Sequence, residues 1–148
     1  MNEWKEIKLP ATVANISAVT NFVEHELAER NCPMAARMQI NIAIDEIFGN
    51  IAHYAYHPSN GDATVRVEVT DEPIEVILTF MDNGKPYNPL MKEDPDITLD
   101  AQDRDIGGLG IFIVKESMDS VDYVYEDGKN ILRIRKNISA DSKGGNDA

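Results

Sequence analysis

Apolar residues recur along this chain with two different periods, and the switches between them mark out its elements. Between Ile16 and Leu27 the apolar positions Ile16, Val19, Phe22, Val23 and Leu27 are three or four apart, the spacing of one helix face. Asn15 or Ser17 can cap that helix, which is expected to reach about Arg30. Asn31-Cys32-Pro33 breaks it, and Pro33 suits the first turn of a second helix. The second helix is predicted to continue to about Tyr54, with Ile40, Ile44, Ile47 and Ile51 as its apolar stripe. Elsewhere the period is two. Residues 4–9 read as a short strand ending at Pro10. Ala63–Thr70, alternating through Val65, Val67 and Val69, and Ile74–Met81 read as a hairpin joined by Asp71-Glu72-Pro73. His57–Asp62 is a turn cluster. Gly107-Gly108-Leu109-Gly110 opens a third helix to about Asp119, with Ile111, Val114 and Met118 inward. A last hairpin pairs Asp122–Glu126 with Asn130–Lys136 across Asp127-Gly128-Lys129.

Two stretches have no period. Residues 82–106 are polar, with prolines at 86, 89 and 95, and a loop that long in a compact domain is either functional or a misassigned element. Residues 137–148 read as a disordered tail, which leaves one domain over 1–136. The pattern is that of an α+β two-layer sandwich, a mostly antiparallel, mixed sheet with helices on one face. Pattern alone specifies no function.

Composition narrows the choice. The chain has 148 residues, 43% of them hydrophobic, enough for a core without staples. One cysteine, Cys32, rules out an intrachain disulfide and fits a reducing compartment. The N-terminal MNEWKEIKLP has no basic-then-apolar signal pattern, and no apolar run approaches the length of a membrane span. The expectation is a soluble cytoplasmic protein. With 26 acidic against 14 basic residues the formal charge is −12, which repels phosphate backbones and argues against direct nucleic-acid binding. A basic protein partner would be steered in by the same charge.

Three local motifs carry candidate chemistry. Glu46 and Asn50 lie four apart on the second helix, one above the other, at the border of the core stripe. The amide oxygen can ligate a hard cation such as Mg²⁺, and the carboxylate can orient or deprotonate a hydroxyl. An ordinary amphipathic helix with polar boundary residues reads the same way. Asp82-Asn83-Gly84-Lys85-Pro86 follows directly on a strand. An aspartate there can accept a hydrogen bond from an exocyclic amine, and Gly84 lets a flat base approach the backbone, although Asp-Asn-Gly is also a common turn. Gly107, Gly108, Leu109 and Gly110 at a helix start can present N–H groups to an anion. They match neither a phosphate-loop nor a dinucleotide fingerprint.

Taken in order, Glu46-x-x-x-Asn50, Asp82-x-Gly84-x-Pro86 and Gly107-Gly108-Leu109-Gly110 resemble the N, G1 and G2 boxes of the Bergerat-fold ATPases, over roughly residues 5–136. Gyrase, heat-shock chaperones and histidine kinases share that fold. The short chain and the Pro86-Tyr87-Asn88-Pro89 run most resemble the stand-alone bacterial anti-sigma-factor serine kinases. The resemblance implies ATP and Mg²⁺ as cofactors, Glu46 as general base, Asn50 as Mg²⁺ ligand and Asp82 as adenine anchor. It places Gly84 under the base and Gly107, Gly108, Leu109 and Gly110 along the phosphates. Residues 90–106 would be an ATP lid, with Arg104 as a phosphate contact. It further implies a homodimer that binds a sigma factor and phosphorylates a serine of a small antagonist protein, whose unphosphorylated form frees the sigma factor.

This chain departs from the family in two places. The lid carries Glu93, Asp94, Asp96, Asp100, Asp103 and Asp105 against only Lys92 and Arg104, and Asn130 stands where family members often have a small hydroxyl residue. The acidic lid suits an alternative, an ATP-gated module that sequesters a partner and transfers nothing. A histidine-kinase catalytic domain would need a phosphoacceptor helix pair that this sequence lacks. His53 and His57 are four apart, but no third metal ligand accompanies them, and they are read as structural or solvent-facing. His25 and Cys32 carry no catalytic pattern. Trp4, Tyr123 and Tyr125 are read as core or interface residues.

Overall fold

The computed structural model describes residues 3–91 and 109–139. Five strands form one sheet: β1 (Glu3–Pro10), β2 (Asp62–Val69), β3 (Glu75–Asp82), β4 (Ser120–Glu126) and β5 (Lys129–Asn137). Their order is β1-β2-β3-β5-β4, and every pairing is antiparallel. Helices α1 (Ile16–Leu27), α2 (Met34–Asn50) and α3 (Leu109–Ser117) complete the domain. The two-layer α+β plan expected from the pattern is the observed one.

One sheet face builds the core. Val65, Val67, Leu78, Phe80, Leu132 and Ile134 pack against Val19, Val23 and Leu27 of α1 and Ile40, Ile44, Ile47 and Phe48 of α2. The strand alternation of β2 and the three-to-four spacing of the helices deliver these side chains to the same layer. On the opposite face the central strand needs other cover. Thr79 is only 4% exposed because Arg66 and Arg133 stand beside it across the register, and the Arg133 Nε donates to its hydroxyl at 3.3 Å. Arginine stems shield apolar surface while their heads stay wet. Arg66 also lies over the Trp4 ring, 4.4 Å from its centroid, and pairs with Glu6 at 3.0 Å. Trp4 is therefore 54% exposed, a platform for an arginine rather than a core residue.

Several boundaries differ from the sequence pattern for local reasons. The second helix does not run as one α-helix to Tyr54. It is α-helical to Asn50 and then widens into a π turn over Ile51–Ala55. The first helix is flanked by short 3₁₀ turns at Val13–Asn15 and Ala28–Arg30. The last strand passes position 136: Ile138 is buried, and its N–H donates to the Ile74 carbonyl at 3.0 Å. The rest of the expected tail, 140–148, lies outside the described residues. Lys136, on the helix face of β5, donates from Nζ to the Ser117 carbonyl at 2.8 Å and so satisfies the C-terminus of α3. Among the described residues no helix is long and apolar enough to cross a membrane.

Neighbouring isoleucines of α2 provide a test of this packing. Ile44 is fully buried and Ile42 is 46% exposed. Ile44→Ala is expected to cost about 2–5 kcal/mol in urea unfolding. Ile42→Ala should stay within about 0.5 kcal/mol. Equal losses would place the core on the wrong face of α2.

Candidate functional site

The π turn after α2 begins the site. Ala55 ends that turn, and its terminal carbonyl accepts the Lys85 N–H at 3.0 Å. The turn after β3 is thereby laid on the end of α2. Gly84 makes the approach possible: a β-carbon on it would stand 2.2 Å from the Ala55 oxygen and 2.6 Å from its carbonyl carbon. Tyr56 fastens the same junction. Its hydroxyl donates to the Asp62 carbonyl at 2.6 Å and accepts the Asn83 N–H at 2.8 Å.

Asp82, the last residue of β3, is 6% exposed. Its Oδ1 accepts the Gly84 N–H at 2.8 Å and the Asn130 Nδ2 at 2.9 Å. Oδ2 has no hydrogen bond among the described residues. Burial pushes this carboxyl above its ordinary range, against the opposing pull of Asn130 and the Gly84 N–H.

Glu46 and Asn50 meet as their spacing predicts. The Asn50 Nδ2 donates to Glu46 Oε2 over a long 3.4 Å, which leaves the amide oxygen of Asn50 for another partner. The Glu46 carboxylate lies over the first turn of α3: a β-carbon on Gly110 would stand 1.9 Å from Oε1. The amide dipoles of that turn favour a negative group there.

One pocket joins the two ends. Asn50 lines it at the α2 end and Asp82 at the β3 end. Between them the walls are apolar or aromatic, from Ile51, Ala55, Phe80, Tyr87, Tyr123 and Leu132. A mostly apolar and aromatic lining with one buried acceptor at its end suits an amine-bearing aromatic base. The Asn50 oxygen is a hard donor suited to Mg²⁺. Among the described residues no group of three acidic, histidine or cysteine side chains could hold a metal.

The structure thus brings Glu46, Asn50, Asp82, Gly84 and Gly110 into one site, with Leu109 opening α3 beside it. Arg104, Gly107 and Gly108 lie outside the described residues, as do the acidic positions of the expected lid. In sequence, Asn130 stands out only as a departure from the resembled family, and Tyr123 only as a core or interface residue. Tyr123 is part of the pocket wall, and Asn130 holds Asp82. Strand alternation could have found both, since each falls on the helix-facing side at the end of the β4–β5 hairpin where Asp82 pairs. His53 and His57 are exposed, as is Tyr125, and burial pushes the half-buried Cys32 thiol up, away from nucleophilic use.

Comparison with known proteins gives this geometry a context. Residues 9–136 match the family described as histidine kinase-like ATPase domain. The serine/threonine-protein kinase BtrW of Bordetella bronchiseptica is 24% identical over 136 residues, covering 92% of this chain and 95% of that protein. The serine-protein kinase RsbW of Listeria monocytogenes serovar 1/2a is 28% identical over 140 residues, covering 91% of this chain and 88% of that protein. Among solved structures, the RsbU and RsbW domains of Rv1364c from Mycobacterium tuberculosis superpose with a TM-score of 0.65 at 17% identity. That match covers 92% of this chain and 32% of that one, and it supports the fold.

Two glycines should respond in opposite ways to the same substitution. Gly84→Ala drives a methyl into fixed backbone and is expected to cost about 1–3 kcal/mol in urea unfolding. Gly49, inside α2, has nothing within 4 Å of its β-carbon position, so Gly49→Ala should gain about 0.5–1 kcal/mol of helix stability. Equal responses would show that Gly84 does not lie against Ala55.

Proposed function

The chain belongs to the histidine kinase-like ATPase domain family, and from that premise we propose that it binds Mg²⁺-ATP in this pocket and phosphorylates a serine of a small antagonist protein. As a homodimer it holds a sigma factor that the unphosphorylated antagonist releases. One observation carries the reading: one pocket connects a buried carboxylate acceptor, Asp82, to Asn50, whose hydrogen-bond partner Glu46 lies against Gly110 of α3. The names of the relatives, serine or serine/threonine kinases over nearly their whole length, support the reaction class.

In this reading Asp82 accepts the exocyclic amine of adenine, and Gly84 lets the ring lie near the backbone. The N–H groups at Leu109 and Gly110 face the phosphates, together with Gly107 and Gly108. Arg104 adds a phosphate contact from the lid. Asn50 would hold Mg²⁺, which when bound supplies neutralising charge at the phosphates. Glu46 takes the proton from the attacking serine hydroxyl as that oxygen bonds to the γ-phosphorus and ADP leaves. Catalysis of this kind rests on positioning and charge more than on covalent chemistry.

A second reading, an ATP-gated sequestration module without transfer, draws support from the six acidic residues between Glu93 and Asp105. Labelled ATP separates the two when incubated with partner proteins recovered from source cells by affinity purification. The kinase reading expects phosphoserine on a small partner and a loss of about 10²–10⁴ in rate for Glu46→Gln. ATP-dependent partner binding with no phosphoserine would establish the module instead.

Acidification tests the base end separately. The raised Asp82 carboxyl gains its proton above the ordinary carboxylate range near pH 4, and protonation weakens it as an acceptor. The ATP-affinity advantage of wild type over Asp82→Asn, followed by calorimetry, should therefore shrink as pH falls, starting above about pH 4. A constant gap would remove Asp82 from base recognition.

A further inference from the structure

Asn130 opens β5 directly across from Asp82 in the strand register, and it is 6% exposed. Its amide is fully committed. Nδ2 donates to Asp82 Oδ1 at 2.9 Å and to the Lys85 carbonyl at 2.8 Å, with the Gly84 carbonyl at 3.5 Å. Oδ1 accepts the Tyr87 N–H at 3.0 Å and the Tyr123 hydroxyl. A carboxamide has two N–H donors and one oxygen with two lone pairs. Every one of those positions is used inside the protein.

Three consequences follow from that saturation. The amide orientation is fixed, because a flip would set carbonyl against carboxylate and carbonyl against carbonyl. The segment from Gly84 to Tyr87 is tied at both ends to the β4–β5 hairpin, which shapes the wall beside the base. Asp82 is gripped through Oδ1 alone, and Oδ2 is the oxygen without a hydrogen bond among the described residues. A single hydroxyl could not make these four bonds, so an asparagine here does a different job from the small residue common at this place in the resembled family.

We propose that Asn130 is a positioning residue for base recognition: it holds Asp82 with Oδ2 presented to the exocyclic amine of the nucleotide and makes no polar contact to the base itself. This rests on the nucleotide reading of the pocket.

The test compares ATP with purine riboside triphosphate, the same nucleotide without the exocyclic amine, by calorimetry on the full chain. Wild type is expected to prefer ATP by about tenfold or more, the worth of a hydrogen bond to a charged acceptor. In Asn130→Ala the preference should fall toward one, mainly through weaker ATP binding. Asp82→Ala should abolish the preference, and adding Asn130→Ala to it should change the ratio no further. A merely structural role would weaken both nucleotides alike and keep the ratio, and that outcome overturns the proposal. So would a further loss in the double variant, since Asn130 would then touch the base. If circular dichroism shows Asn130→Ala unfolded, Asn130→Ser carries the same comparison with the same criteria. Tight ATP binding by wild type without any preference would overturn the inference alone, whereas no binding of either nucleotide would overturn the reading of the pocket itself.

Discussion

A missing β-carbon sets the frame on which this site depends. Gly84 lies so close to the Ala55 carbonyl that any side chain would collide with fixed backbone. Ala55 ends the π turn that continues α2, so the contact ties the loop after β3 to the helix that carries Glu46 and Asn50. Asp82 is two residues before Gly84, and Asn50 is five before Ala55. One backbone contact therefore sets the separation between the two polar ends of the pocket. The Lys85 N–H bond to Ala55 and the Tyr56 hydroxyl reinforce it from both sides. Chemistry that depends on positioning needs such a frame, since a displacement of about 1 Å can cost about a hundredfold in rate.

Much of this was legible in the chain because it rests on periodicity. The alternation of Val65, Val67 and Val69 and the stripe Ile40, Ile44 and Ile47 placed β2 and α2 and oriented both. The same helical geometry put Asn50 over Glu46 without any tertiary information. The π turn was not legible, because Ile51 continues the apolar stripe and nothing in Ile51–Ala55 breaks a helix. Its end is fixed by a tertiary contact, the Lys85 N–H on the Ala55 carbonyl, which local sequence does not reveal. Asn130 stood out in sequence only as a departure from the resembled family; its role was not legible, because it comes from partners 43 to 48 positions away. Of the two places open to Trp4, core or interface, the core is excluded: an edge-strand position on the outer face sets its ring under an arginine.

The basic residues show how an acidic chain distributes scarce positive charge. Arg66, Arg133 and Arg135 stand across the outer face of the sheet, two of them paired with Glu6 and Glu75. Lys136 serves the end of α3. These cations cover the central strand and close a helix terminus, so they support the scaffold. None of them lines the pocket between Asn50 and Asp82.

That distribution bears on how a triphosphate could be held. The pocket's described lining contains no lysine or arginine, and its one ionisable acid is Asp82, with Glu46 beside the α3 turn. A polyphosphate entering such a site meets two carboxylates and, from the described residues, only backbone N–H groups and the Asn50 amide in its favour. In the proposed reading, compensating charge would come with the ligand as a divalent cation, or from Lys92 and Arg104 in the segment before α3. The Glu46 carboxylate adds to this requirement, because it occupies the anion-favouring first turn of α3 that phosphates would share. A nucleotide bound as proposed would accordingly form a three-way arrangement of cation, phosphate and Glu46, with the Asp82–Asn130 pair as the fixed reference.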